Sequence, residues 1–187
     1  MVRAMGRQLQ HYGGLPVPYT VSWTAEADSF FVAECPHAAM AAICQAEAIG
    51  QGKPRLGKPH SQRQREVITC GLCDLCARPL KLKTKVSLSH ARVRLDGAEG
   101  ACVMQVEPLL CRPCAKISLR HCPALKRDIA DGSLMVRQVT RYRVQFAVMS
   151  EVYVAQLTGE HRKAIGHAKV ELQAWVDRDA AWLEAST

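Results

Sequence analysis

Two cysteine pairs constrain this chain more than anything else in it: Cys73-Asp-Leu-Cys76 and, thirty-four residues on, Cys111-Arg-Pro-Cys114. A C-x-x-C turn points two sulfurs the same way, and two such turns can surround one ion with four thiolates. Zinc takes such ligands in a closed tetrahedron, with bonds of about 2.3 Å. The spacing therefore predicts one structural Zn²⁺ held by Cys73, Cys76, Cys111 and Cys114, with the fold organised around it. Cys70-Gly-Leu-Cys73 is a further C-x-x-C, so a register in which Cys70 replaces Cys73 or Cys76 stays open. The chain has nine cysteines, an odd number, and no apolar secretory run at its start. Metal binding in a reducing cytoplasm explains paired cysteines in that setting better than disulfides do. Cys35, Cys44, Cys102 and Cys122 read as small buried core residues. A second site from Cys35, His37 and Cys44 would have no standard spacing.

Charge is placed as unevenly as the cysteines. The net charge is +8. Residues 50–95 carry eleven basic and two acidic side chains, net +9, whereas residues 1–49 are net −2 and residues 96–187 net +1. A concentration of this kind is the electrostatic footprint of a phosphate-bearing partner. Arg63, Arg65, Lys81, Lys83 and Lys85 are the side chains expected to touch phosphate. Residues 50–95 contain no Phe, Tyr or Trp to stack single-stranded bases, so duplex DNA or structured RNA is the expected nucleic acid. The competing reading is a solvated basic surface that also offsets the −2 of a Zn–thiolate centre through Arg78, Lys81, Arg112 and Lys116. The longest apolar stretches, residues 30–35 and 38–44, are far short of the ~20 residues that a membrane span needs, so no membrane is expected.

Periodicity predicts an α+β chain in three parts. Residues 1–66 read as an N-terminal extension with a strand over 15–23, a helix over 36–49 and an exposed basic linker over 50–64. Residues 67–132 read as the metal module. It holds a hairpin from 81–93 and 101–106, then a helix from Cys111 to Asp131 that Pro123 splits in two. Residues 133–187 read as strands over 134–139 and 142–149, followed by an amphipathic helix over 160–184. The stripe Ile165, Ala168, Leu172, Trp175 and Trp182 would be its apolar face, a core face or a surface for a host protein or a second copy.

Knuckle, hairpin, then a helix that carries the second pair: this order resembles the treble-clef zinc finger. Cys73-Asp-Leu-Cys76-Ala-Arg-Pro-Leu80 is similar to the zinc knuckle of that family, and Leu110-Cys111-Arg-Pro-Cys114 to its helix-borne half. The resemblance covers about a third of the chain. Nucleases of the HNH type are built on the same motif, and Ser87-Leu-Ser-His90 is similar to the strand end that carries their first histidine. The resemblance would make His90 a general base. The family also uses a middle asparagine and a histidine after the last knuckle cysteine. This chain has no asparagine, and Ala115 follows Cys114, which leaves His121 as a stand-in and Asp96, Glu99 or Glu107 as ligands of a variant ion site. The segment 109–125 also resembles small phage and bacterial cysteine-motif proteins, which implies an accessory protein acting in a host cytoplasm. The leading expectation is a non-catalytic zinc protein that binds nucleic acid. A protein-interaction module or inhibitor of a host enzyme, and a variant nuclease, are the alternatives.

Overall fold

The computed structural model describes residues 9–26, 29–96 and 100–185. In chain order the elements are β1 (Gln10–Tyr12), β2 (Leu15–Val17), β3 (Val21–Trp23), a 3-10 turn (Thr24–Glu26), β4 (Phe30–Glu34), β5 (Ala41–Gln45), β6 (Pro54–Pro59) and α1 (Ser61–Thr69). There follow β7 (Lys85–Ser89), β8 (Arg94–Asp96), β9 (Gly100–Gln105), β10 (Leu110–Cys111), α2 (Arg112–His121), α3 (Pro123–Ala130), β11 (Met135–Met149), α4 (Glu151–Thr158), β12 (Ala164–Arg178) and α5 (Ala180–Glu184). The chain is α+β, and one mixed sheet dominates it.

β11 and β12 are the spine of that sheet. They pair antiparallel over their whole length, and register shifts around Arg141 and at Ala147/Val148 bend the ribbon. The other edge of β11 takes β7, and β7 takes β10. The other edge of β12 is shared: β5 pairs parallel at its start (Ile165 with Ala42), and β9 pairs antiparallel at its middle (Leu172 with Val103). β4 closes the far side against β5, and β1–β2 and β3–β6 form two small separate ladders. One apolar core runs from Ile68 through Leu75, Leu80, Val86, Leu109, Val136 and Leu172 to Leu183. The expected boundary at 132/133 therefore passes through a shared core, and that at 66/67 falls inside α1.

The helix α1 is where the sequence expectation and the structure differ most. Its segment was expected to continue an exposed linker, yet Arg63 and Arg65 are 0% and 1% exposed. Buried charge is tolerated only when paired and hydrogen-bonded, and here each side chain reaches a different strand. Arg63 meets both carboxylate oxygens of buried Glu26 at 2.7 Å and donates to the carbonyls of Tyr19 (2.9 Å) and Val21 (2.8 Å). Gln64 docks on β12 like a length of strand: its Oε1 accepts from the Ala168 N–H (3.0 Å) and its Nε2 donates to the Ala168 carbonyl (2.8 Å). Arg65 donates to the Gly166 carbonyl (3.0 Å) and to Cys44 Sγ (3.5 Å). Gln62 Oε1 accepts from the Gln45 N–H (2.7 Å). His60 caps the helix from a fully buried position, Nδ1 accepting from the Arg63 N–H and Nε2 donating to the Ala46 carbonyl.

Three further expectations are corrected. The expected helix over 36–49 is a turn and the strand β5, whose five residues are all buried. An alanine-rich run is helix-prone in isolation, but in the middle of a sheet it makes a strand buried on both faces. The expected helix over 160–184 is the strand β12 followed by the short α5. The helical stripe was genuine, but so is an alternation: Ala164, Gly166, Ala168, Val170, Leu172, Ala174 and Val176 are small or apolar at every second position. The expected helical docking face of Trp175 and Trp182 thus does not form. Both tryptophans pack at the margin of the main core, and Trp182 lies under Arg112 and Arg178. The hairpin of the metal module is β8–β9, whereas β7 pairs with β10 and β11. The break at Pro123 between α2 and α3, and the strand character of 134–149, stand as expected.

Candidate metal centre

The first cysteine pair sits on a tight turn that α1 feeds directly. Gly71 (φ +62°) turns the chain out of the helix, and Leu80 N–H closes the loop on the Gly71 carbonyl at 2.8 Å. Inside it the Cys73 N–H bonds the Arg78 carbonyl (2.9 Å) and the Ala77 N–H bonds the Cys73 carbonyl (2.8 Å). Ala77 takes a left-handed conformation (φ +52°), unusual for a residue with a Cβ, which lets the backbone return so sharply. The second pair is brought up by β10. Leu110 and Cys111 pair with Val86 and Lys85, and Cys111 is the N-cap of α2, so Cys114 lies in its first turn. The two halves are tied by the Asp74 N–H on the Leu109 carbonyl (2.9 Å).

The sulfurs of Cys73, Cys76, Cys111 and Cys114 all lie within 4.8 Å of one another. A tetrahedron with ~2.3 Å metal–sulfur bonds has edges of about 3.8 Å, so the cluster is at the scale of a four-thiolate site. Cys70 stands outside it, exposed, with its Sγ 3.9 Å from His37 Nδ1. This favours the Cys73/Cys76 register.

The surroundings suit thiolates. Backbone N–H groups aim at the sulfurs: Cys111 N–H at Cys73 (3.3 Å), Arg78 N–H at Cys76 and Cys114 N–H at Cys111. The start of α2 adds the positive end of a helix dipole. The four thiols are free, and each lies close enough to the others to influence their ionisation. Cys111 and the other sulfurs hold the Cys76 thiol well down, Cys114 and Cys73 bring Cys111 down to about 7, and the same contacts raise Cys73 and Cys114. A metal ion bound here would displace the protons that the four thiols still share. Leu75, Leu80, Leu109, Leu110 and Ala115 pack round it, and Cys73 is 0% exposed. These four residues could hold a metal ion, and four thiolates, three of them on buried cysteines and Cys76 half-buried, suit a structural rather than an open catalytic site.

The remaining expected site residues are scattered. Arg63 and Arg65 are internal, as described, and cannot meet a phosphate backbone. Lys81 and Lys83 are exposed on the turn after the knuckle, and Lys85 is half-buried at the start of β7. Arg112 and Lys116, expected to offset the thiolate charge, instead fasten α5 and the residue after it. Arg112 donates to the carbonyls of Trp182 and Ala185, and Lys116 pairs with Glu184 at 2.7 Å. His90 is exposed just beyond β7 and pairs with Asp128 of α3 at 3.3 Å. His121 is exposed at the end of α2, and Glu107 accepts a bond from the Ser89 hydroxyl at 3.4 Å. The side chain of Asp96 and the whole of Glu99 lie outside the described residues. Among the described residues, the four cysteines are the one His/Cys/Asp/Glu group able to hold an ion, so none surrounds His90. Cys35 and Cys44 are buried, as expected, whereas Cys102 and Cys122 are only half-buried. Among the described residues no helix is long and apolar enough to cross a membrane.

The buried polar set of α1 was missed, although its helix had a signal. Ser61 followed by Gln64 three residues later, with Gly71 beyond the end, is a helix start and stop. Comparison with known protein families, with curated proteins and with solved structures returned no match to this chain.

Proposed function

We propose that Cys73, Cys76, Cys111 and Cys114 hold one structural Zn²⁺ in a treble-clef-like arrangement, and that the turn beside it binds the phosphate backbone of nucleic acid without catalysis. The zinc reading rests on the four-sulfur donor set, which suits this ion above harder cations. The binding reading rests on one observation: Lys81 and Lys83 are exposed on the turn that leaves the knuckle, flanking Leu82, which is 92% exposed. An isolated apolar tip between two cations suits a duplex groove, with phosphates taken on both sides. Arg78, exposed on the same knuckle, and Lys85 extend that surface.

The experiment is fluorescence anisotropy with a short DNA duplex over a salt series. The slope of log K against log salt is about −0.9 per phosphate neutralised. Replacing Lys81, Lys83 and Lys85 with Ala should flatten the slope by up to about 2.7 and leave metal content unchanged. Arg63 and Arg65 are unsuitable targets, because removing them would unpin α1. No duplex retention at low salt, or an unchanged slope in the triple variant, refutes the nucleic-acid part.

A further inference from the structure

Four strands carry a recess on the face of the main sheet that turns away from the core. Val170 and Leu172 point into the core, so Glu171 between them points out. On its ladders Glu171 stands beside Met104 of β9 and Arg143 of β11, and β9 in turn pairs Cys102 with Arg94 of β8. These side chains, with Leu95 and Gln145, line an open cavity of about 320 Å³.

Glu171 is the one carboxylate of that wall among the described residues, and its side chain is only 4% exposed. A carboxylate so placed needs partners for its oxygens. Oε2 has them: Arg143 Nε donates to it at 2.8 Å, and Gln145 Nε2 donates to it as well. Among the described residues no donor meets Oε1, and Gln145 keeps its own carboxamide oxygen, so two acceptors remain at the cavity. Arg143 already balances the carboxylate charge, so a neutral N–H group fits these acceptors better than a second cation. Arg94, exposed and paired with no acid among the described residues, adds a positive charge at the rim. The sulfurs of Cys102 and Met104, with Leu95, make the remaining wall apolar and polarisable, which suits the face of an aromatic ring.

We infer that this cavity binds a nucleotide whose base carries an exocyclic amino group, with the amine donating to Glu171 Oε1, the ring lying against Met104 and the phosphate meeting Arg94. A carboxylate accepts from such an amine, as from N4 of cytosine, whereas a carbonyl in the same place sets oxygen against oxygen. The volume is at the small end of small-molecule sites, roughly 300–1,000 Å³, and admits one base with its sugar at the mouth. A paired base in a duplex does not enter, so the nucleotide is either free or an unpaired member of a strand. The site shares no residue with the knuckle turn, so it stands or falls independently of the binding proposed there.

The test is calorimetric titration of the full chain with CMP against UMP and with AMP against IMP, pairs that differ in an amino group or a carbonyl on the base. In at least one pair the amino member should bind about tenfold tighter or more. Glu171→Gln should reverse that preference, because Arg143 and Gln145 hold the new carboxamide oxygen and its N–H₂ is left to face the cavity. Arg94→Ala, at an exposed position that the fold does not depend on, should lower the affinity for the preferred nucleotide to that of its nucleoside. The triple Lys81, Lys83 and Lys85 variant should bind the nucleotide as wild type does. Displacement by a single-stranded oligonucleotide of the same base assigns the nucleotide to a strand, and failure to displace assigns it to a free molecule. No saturable binding of millimolar CMP or AMP by wild type, equal affinity within both pairs, or an unchanged preference in Glu171→Gln overturns the inference.

Discussion

Replacing Glu26 with Ala removes half of the ion pair on which α1 depends. Both partners are 0% exposed, and Glu26 accepts four bonds, two from Arg63 and one each from the N–H groups of Trp23 (2.8 Å) and Ala48 (2.9 Å). The variant leaves a guanidinium in the interior with only two carbonyls, and it orphans two backbone N–H groups. Breaking a buried pair from one side costs about 3–5 kcal/mol. For a chain of this size, at ~2–4 °C per kcal/mol, Tm should fall by about 6–20 °C. The pair as a whole is worth far less. Glu26→Leu with Arg63→Met, which removes both charges, should recover most of the loss. Acid should act like the substitution. Burial by itself would raise the Glu26 pKa, but bonds from Arg63, Ala48 and Trp23 hold it below its ordinary value near 4.5. Its contribution is therefore complete above about pH 4.5 and lost as pH falls through the lower folded value. The assay is urea denaturation of the two variants and wild type. A loss under about 1 kcal/mol in Glu26→Ala, the scale of a surface pair, would refute the buried-pin account of α1.

His60 should add a second, milder acid sensitivity. Burial and then the charge of Arg63 lower its pKa from about 6.5. The unfolded chain therefore takes up the proton first, and stability should fall below about pH 6.5 by up to about 1.4 kcal/mol per pH unit. His60→Asn can still cap α1 but does not titrate, so the difference between the two proteins over that range isolates the effect. Ala77→Gly should stabilise the metal-loaded protein by a few tenths to about 1 kcal/mol, since glycine takes the left-handed conformation without strain and gives back part of the gain as unfolded-state entropy. Chemical denaturation at fixed metal measures it, and a destabilised Ala77→Gly would contradict the conformation of the knuckle.

The four-cysteine cluster was legible because its information is local. C-x-x-C fixes two sulfurs by turn geometry, and Pro113 and Pro123 mark where α2 begins and ends. Choosing the pair Cys73/Cys76 over Cys70/Cys73 needed only the way Ala77 to Leu80 returns along the knuckle. What was not legible depends on distant partners. Arg63 and Arg65 resemble solvent-facing residues until Glu26 and the Gly166 carbonyl are brought to them, and Gln64 is paired with Ala168 across 104 positions. β12 was missed for another reason. Its sequence satisfies a helical stripe and a strand alternation together, and the choice is made by β11, which supplies a ladder partner along the whole segment. Most of the basic excess survives as surface, but two of its eleven cations are internal structural parts.

The claim most exposed to test is that four thiolates hold one zinc. Zinc K-edge X-ray absorption of the purified full chain should give one zinc per chain with four sulfur neighbours at about 2.3 Å and no nitrogen or oxygen in the shell. Zinc-free protein that keeps its cooperative melt and all four thiols free to react, or a shell of mixed nitrogen and sulfur, would contradict it.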